Sequence, residues 1–440
     1  MSNKEKLSFD VIVVGAGLAG STAAVMAARG GLKVAVIERG QTPGSKNYFG
    51  GALYTHSLVD IYPDFFDRKP PLERPVTETG FWFLSKDGMV RATVQGGKVN
   101  SDPIDAFVAQ RAKFDAWWAE QAKKEGVFII NKTVVVDFIR ENEKVVGVVT
   151  DRPDGEIYAP IVIICEGVNN LLTQKLGLIQ HDFHGHSTAL AVKQLISIPG
   201  ETINNRFGLT GADKGLAISV VGDISMGLPG LGFLYTGNDS ISVGVGVTLD
   251  ALAEAQIKPY ELLQRYLNHP MIAPLIAGGQ LMEYGAHLIP EGGWSTMPKL
   301  YTDGALVAGD AASMVNAMHW EGTNMAITAG KAAGETAVEA HKKGDFSASA
   351  LSAYRTRLEN TFVLKDLHQY RNMSRFLKNH PEFMDVYPNF LNDALGMFFT
   401  GFGKPKKKLY SDIFKALTNR RPLLKVAGDM IAFGRTIMGI

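Results

Sequence analysis

The run Gly15-Ala16-Gly17-Leu18-Ala19-Gly20 constrains the fold of this chain more than any other stretch. It follows the apolar Val11-Ile12-Val13-Val14 and opens an alanine-rich segment, Ala23 to Ala28. That order reads as strand, glycine turn, helix. In such a turn Gly15 supplies the tight bend, Gly17 lets backbone N–H groups approach a pyrophosphate, and Gly20 lets helix and strand pack closely. Leu18 and Ala19 fall in the first helical turn, where unpaired donors and the positive dipole end face an anion. A second strand, Val34 to Ile37, ends at Glu38-Arg39, where the carboxylate is placed for ribose hydroxyls. With strand, helix and acid all present, the pattern specifies a dinucleotide site.

The 440 residues are enough for two or three domains with full cores. With 46% apolar and 20% charged residues the composition is that of a globular protein. The charged Met1-Ser2-Asn3-Lys4-Glu5-Lys6 runs into the first strand, so no leader is expected. No apolar run approaches the roughly 18 residues of a spanning helix. The single cysteine, Cys165, allows no internal disulfide and suits a reducing compartment. It sits in an apolar run and reads as a core residue. One thiol is also too few for an iron–sulfur cluster, which needs about four.

Charge is uneven. Residues 404–440 hold nine Lys/Arg and two Asp/Glu, so that segment carries +7 and the rest of the chain −6. Interleaved with apolar residues, this tail fits an anionic membrane surface, an acidic partner or a solvated helical face, and not nucleic acid.

Residues 8–40 form the first βαβ unit, and 41–56 read as a long loop across the site. A helix is predicted over 103–126, strands over 127–136 and 145–150, and a buried parallel strand at Ile161–Cys165, which ends at Glu166-Gly167. Short alternating segments within 187–248, separated by glycine turns, predict an antiparallel sheet. Another buried strand leads into Gly309-Asp310-Ala311-Ala312, and a long helix is predicted over 323–342. The fold class is therefore α/β: a discontinuous Rossmann-like domain (residues 1–80, 103–180 and 296–345), an inserted antiparallel-sheet substrate domain (81–102 and 181–295), and a helical C-terminal segment (346–440).

Two features select FAD over NAD. Gly309-Asp310 ends a late strand before a helix, where the Asp can bond a ribityl chain and the helix N-terminus can favour negative charge on the flavin. Arg111, at the start of the 103–126 helix, can reach the diphosphate or ribityl region.

This order of motifs resembles the geranylgeranyl-reductase and aromatic-hydroxylase group of FAD proteins. Phe49-Gly50-Gly51-Ala52-Leu53, Tyr62-Pro63-Asp64 and Pro75-Val76-Thr77-Glu78 are similar to the electron-transfer-flavoprotein:quinone oxidoreductases in their FixC form. So are Gly232-Phe233-Leu234-Tyr235, His269-Pro270, and Asn316 with Gly322-Thr323. The resemblance covers residues 8–345 and, more weakly, the C-terminal part. Larger relatives carry a cysteine-rich cluster domain that this chain lacks, which resembles the arrangement with a separate ferredoxin-like subunit. Pro229-Gly230-Leu231-Gly232 stands where the family's quinone loop often has Tyr-Gly-Gly-Ser.

The resemblance implies non-covalent FAD held by Gly15, Gly17, Leu18, Ala19, Gly20, Glu38, Arg39, Gly50, Gly51, Arg111, Glu166, Gly167, Gly309, Asp310, Gly322, Thr323 and Asn324. It implies electrons passing from a two-subunit electron transfer flavoprotein, with an iron–sulfur cluster on a ferredoxin-like partner, to membrane ubiquinone or menaquinone. Such an arm can belong to a bifurcating complex at the cytoplasmic face of the membrane. Phe49, Leu53, Gly230, Leu231, Gly232, Phe233 and Trp320 are the expected quinone walls, and His319 a candidate proton relay. The histidines in His181-Asp182-Phe183-His184-Gly185-His186 fit no familiar zinc spacing, so no metal is expected. The aromatic Leu395–Phe402 beside Lys404–Lys408 suits interfacial docking. An FAD-dependent prenyl-lipid reductase and a non-catalytic flavin-bearing docking subunit are the alternative readings.

Overall fold

The computed structural model describes residues 7–47, 50–100, 104–180, 185–403 and 405–440. Its first layer is a six-stranded sheet built on Val11–Val14, which pairs in parallel with Val34–Ile37 on one side and Ile161–Ile164 on the other. Phe128–Ile130 and Ala305–Val307 extend it in parallel, and Tyr301–Thr302 closes one edge antiparallel. Val11–Val14, Val34–Ile37 and Ile161–Ile164 are buried at every position, because both faces of the sheet are covered.

The helix Leu18–Arg29 lies against the long helix Thr323–Lys343 with almost no side chain between them. A Cβ on Gly330 would stand 2.3 Å from the Ala19 carbonyl oxygen, and one on Gly334 2.5 Å from that of Ala23. Trp118, from the helix Arg111–Lys124, donates its ring N–H to Thr22 at 3.1 Å. A three-stranded antiparallel sheet, 135–158, adds Val145, Val148 and Ile157 to the same core.

The second layer is a seven-stranded sheet drawn from residues 76–95 and 189–289, with its own core around Trp82, Ile218, Val243 and Tyr266. It is mixed, not purely antiparallel: Gly215–Gly222 runs parallel to Val76–Leu84. Arg74, 1% exposed, fastens its loops. The guanidinium donates to the Gly237 carbonyl at 2.6 Å, to Asn204 Oδ1 at 2.5 Å, and to the carbonyls of Gly200, Gly211, Lys214 and Asn238.

Several predicted elements are corrected. Residues 106–110 are a strand, not helix, because they pair antiparallel with Gly50–Tyr54 inside the supposed loop 41–56. The helix therefore begins at Arg111 itself. The run 127–136 is two strands in different sheets, Phe128–Ile130 and the start of Val135–Glu141. Gly230 opens a strand, Gly230–Thr236, where a loop was expected.

The C-terminal third is helical. Its last helix, Leu423–Ile437, is tied down by Arg421, which pairs with Asp429 and Glu382 at 2.6 and 2.7 Å. His380 lies 3.6 Å from Asp429, and the Tyr387 hydroxyl donates to the same carboxylate. His380, Glu382 and Asp429 are clustered closely enough to suggest a cation site, but the Arg421 guanidinium supplies the positive charge there.

Candidate functional site

The glycine turn does what its spacing predicts. Gly15 adopts φ +98°, and a Cβ there would meet the Cys165 carbonyl oxygen at 2.3 Å. On Gly20 a Cβ would stand 1.9 Å from the Gly15 carbonyl oxygen and 3.1 Å from Val13. On Gly17 it would meet nothing within 4 Å among the described residues, because it would point into a cavity. Leu18–Arg29 starts beside that cavity with no side-chain cap and no acid in its first turn. Its first N–H groups are thus left for a ligand.

The cavity measures about 1240 Å³ and lies between the two layers. Gly15, Gly17, Leu18, Ala19, Gly20, Glu38 and Arg39 line one end. Glu38 accepts the Ala16 N–H at 2.9 Å and also the Gly40 N–H, so the carboxylate fixes the turn as well as facing the cavity. Gly51, Leu53, Arg111, Gly167, Asp310, Gly322 and Thr323 line the wall further along. Arg111 makes a two-pronged pair with buried Asp115, at 2.7 and 2.9 Å. Burial works against its charge, but Asp115 and then Asp310 outweigh it and hold the guanidinium protonated. Burial pushes the Asp310 carboxyl up, and Arg111 opposes that. Gly309, at φ +70°, packs against helix Leu18–Arg29: a Cβ there would stand 2.9 Å from Ala19 Cβ. The helix beginning at Thr323 is a second uncapped N-terminus beside the cavity.

The floor is the second sheet. Its register aligns His287, Ala191, Gly246 and Leu231 in one row, then Phe233, Ser219 and Phe81, then Tyr235, Ala217 and Thr79. All of these line the cavity. The floor is low in the middle because glycines stand there: a Cβ on Gly244 would stand 2.2 Å from the Phe233 ring, which lies across it. Trp320, 40% exposed, stands edge-on to Phe81 at 5.6 Å. His319 is exposed at the rim, its Nε2 3.1 Å from the Tyr370 hydroxyl. Burial, then Glu321, pushes the Tyr54 hydroxyl up to about 12.

Some predicted residues lie elsewhere. Gly230 and Gly232 alternate away from the cavity: a Cβ on Gly232 would stand 2.4 Å from Ile224, in the sheet's far core. Glu166 does line the cavity, but its carboxylate turns onto the start of helix Leu171–Lys175, accepting the N–H of Leu172 at 2.9 Å and of Thr173 at 2.7 Å. Asn324 is buried off the cavity wall, and Gly50 contributes backbone pairing with Gln110. Cys165, just past its strand, packs against the core and also lines the cavity, and burial raises its thiol pKa. Phe49 and His181–His184 lie outside the described residues.

Sequence reasoning passed over Tyr54, Tyr235, His287 and Glu291, all on the cavity wall. Burial, then Arg111 and Arg39, lowers the His287 pKa, while burial alone brings the Glu291 carboxyl up to about 7. The alternation Leu231, Phe233, Tyr235 was the available signal for the floor. His287 carried none, since its strand is half-exposed along its length, and neither did Glu291 in the turn just beyond it.

The residues fit FAD. A long cavity with two open helix N-termini, an unobstructed Gly17, and Arg111 and Asp310 on its wall suits an anionic diphosphate and a flavin. Residues 10–173 match the family described as FAD dependent oxidoreductase. Residues 212–289, the floor, match the family described as ETF-QO, ubiquinone-binding, and residues 373–437 the ETF-QO/FixC family C-terminal domain. The chain is 41% identical to the protein FixC of Azotobacter vinelandii over 98% of its length and 99% of the relative's. To a probable electron transfer flavoprotein-quinone oxidoreductase of Escherichia coli it is 39% identical over 91% of this chain and 92% of that one. A geranylgeranyl bacteriochlorophyll reductase-like protein of Thermoplasma acidophilum has the same fold, with a TM-score of 0.73 at 22% identity over 95% of this chain and 98% of that one. The chain belongs to the electron transfer flavoprotein-quinone oxidoreductase/FixC family of FAD-dependent oxidoreductases.

Proposed function

We propose that this protein accepts electrons from a two-subunit electron transfer flavoprotein, with a ferredoxin-like iron–sulfur subunit in the chain of transfer, and delivers them to ubiquinone or menaquinone at the cytoplasmic face of a membrane. The observation that carries this is the single cavity running from the Gly15–Gly20 turn to the apolar floor of Leu231 and Phe233. When bound, FAD supplies the means to take electrons singly and pass them on in pairs.

The chain's own residues do the rest. The Gly15–Gly20 turn and the helix behind it hold the diphosphate, Glu38 and Arg39 the adenosine end, and Arg111 and Asp310 the ribityl region. The N-terminus at Thr323 favours negative charge beside it. Leu53, Leu231, Phe233 and Trp320 exclude water from the quinone head, and His319 exchanges protons with solvent at the rim.

The C-terminal helices give the membrane face. Among the described residues no helix is long and apolar enough to cross a membrane. Phe399 and Phe402, 65% and 81% exposed, are close in sequence to exposed Lys406, Lys407 and Lys408, and Leu424 on the last helix is 90% exposed. Apolar and cationic groups together favour a shallow seat on anionic lipid.

The test is steady-state reduction of a short-chain ubiquinone by the FAD-loaded protein with reduced electron transfer flavoprotein. Catalysed turnover above the flavoprotein's own rate is expected. Its absence would reject the reading.

A further inference from the structure

Reducing a quinone consumes two protons as well as two electrons, so a buried head group needs an acid inside the cavity. Glu291 stands on the cavity wall, two residues beyond the end of strand Gln280–Ile289. Its backbone is fixed from three directions. The Glu291 N–H donates to the Ile289 carbonyl at 3.1 Å, the Ser374 hydroxyl donates to the Glu291 carbonyl at 2.6 Å, and the next N–H, of Gly292, donates to Ser187 at 2.9 Å. The side chain so placed makes no hydrogen bond or ion pair among the described residues, and the half-buried residue lines the cavity.

A carboxyl on the cavity wall, carried on a fixed backbone and without a partner among the described residues, is positioned for a ligand. We propose that Glu291 is the acid that protonates a carbonyl oxygen of the quinone as it is reduced. This rests on the quinone reading given above.

Chemically, the Glu291 O–H bond breaks and a quinol O–H bond forms. The two electrons are those of the family reaction, the second proton comes from water at the rim, and the carboxylate recovers its own proton the same way. The ionisation suits the task. Burial alone raises the carboxyl to about 7, so acid and base forms are both available near neutrality. No charged group sets that value: not His287 on the strand before it, and not His319, Glu321, Asp366, His368, Arg375 or Lys378.

The test is Glu291→Gln, which keeps shape and removes the proton. In the FAD-loaded protein, the variant is expected to keep its flavin content and its rate of reduction by electron transfer flavoprotein. Its quinone reduction is expected to fall about 10²- to 10⁴-fold, without the ionisation near pH 7 seen in the parent's rate profile. Independently of turnover, infrared titration of the parent should show a protonated-carboxyl stretch that disappears near pH 7 and is missing from the variant. Unchanged quinone reduction and pH profile would overturn the assignment, as would loss of FAD from the variant or absence of a titrating carboxyl band. A parent protein that reduces no quinone while its band titrates as expected would instead sink the functional reading.

Discussion

Gly20 sits so close under Gly15 that a Cβ on it would stand 1.9 Å from the Gly15 carbonyl oxygen, while one on Gly17, three residues earlier, would touch nothing within 4 Å among the described residues. Two glycines of one motif therefore serve different ends. Gly20→Ala is expected to cost about 1–3 kcal/mol by forcing helix and strand apart. Gly17→Ala should unfold at the parent's midpoint but hold FAD weakly, because its methyl group enters the cavity. Thermal unfolding of the apoprotein and flavin titration of each variant separate the two effects.

Glu166 gives the opposite pattern. Its carboxylate caps the helix Leu171–Lys175, so Glu166→Ala should lower stability by about 1 kcal/mol. Flavin content measured by absorbance should be unchanged. A variant of normal stability that lost its flavin would instead show that the carboxylate holds the cofactor.

Asp115 is 1% exposed and holds Arg111 by two bonds. Asp115→Ala leaves a buried cation without its partner, and a loss of about 3–5 kcal/mol is expected in denaturant unfolding. Because Arg111 also faces Asp310, FAD affinity should fall as well.

The C-terminal lock should be acid-sensitive. Burial disfavours the Asp429 carboxylate, but the hydrogen bonds from Arg421 and Tyr387 outweigh it and bring the pKa down to about 2. A folded-state pKa below the unfolded one stabilises the fold above the ordinary carboxylate range, and that stability is lost as pH falls toward 2. The parent should lose on the order of 1–2 kcal/mol between about pH 5 and 2 through this group. Asp429→Asn should be less stable at neutral pH and flatter across that window, as read by urea unfolding at each pH.

The first layer of the fold was legible because continuous Val/Ile runs and the glycine turn follow from backbone geometry alone. The second sheet was legible in outline, from alternation. What stayed hidden depends on pairing partners far along the chain. Residues 106–110 look helical until Gly50–Tyr54 pairs with them, and Gly230-Leu231-Gly232 looks like a loop until Ile224 and Tyr266 are seen to need the space a Gly232 side chain would fill. Glu166 stands on the cavity wall, as its place at a strand end suggests, but only the fold reveals that its carboxylate also holds the start of the helix Leu171–Lys175. His287 lies on a strand whose sequence shows no apolar alternation, and Glu291 in the turn just beyond it, so nothing local pointed them at the cavity.

The central claim is that flavin and quinone share one cavity whose floor includes Leu231 and Phe233. Anaerobic rapid mixing of the reduced, FAD-loaded protein with a quinone analogue tests it most directly. The parent should be reoxidised by quinone in a single phase, and Leu231→Trp, which fills the floor, should keep its flavin but be reoxidised at least tenfold more slowly. Reduced flavin that quinone fails to reoxidise, or a Leu231→Trp variant as fast as the parent, would contradict the account.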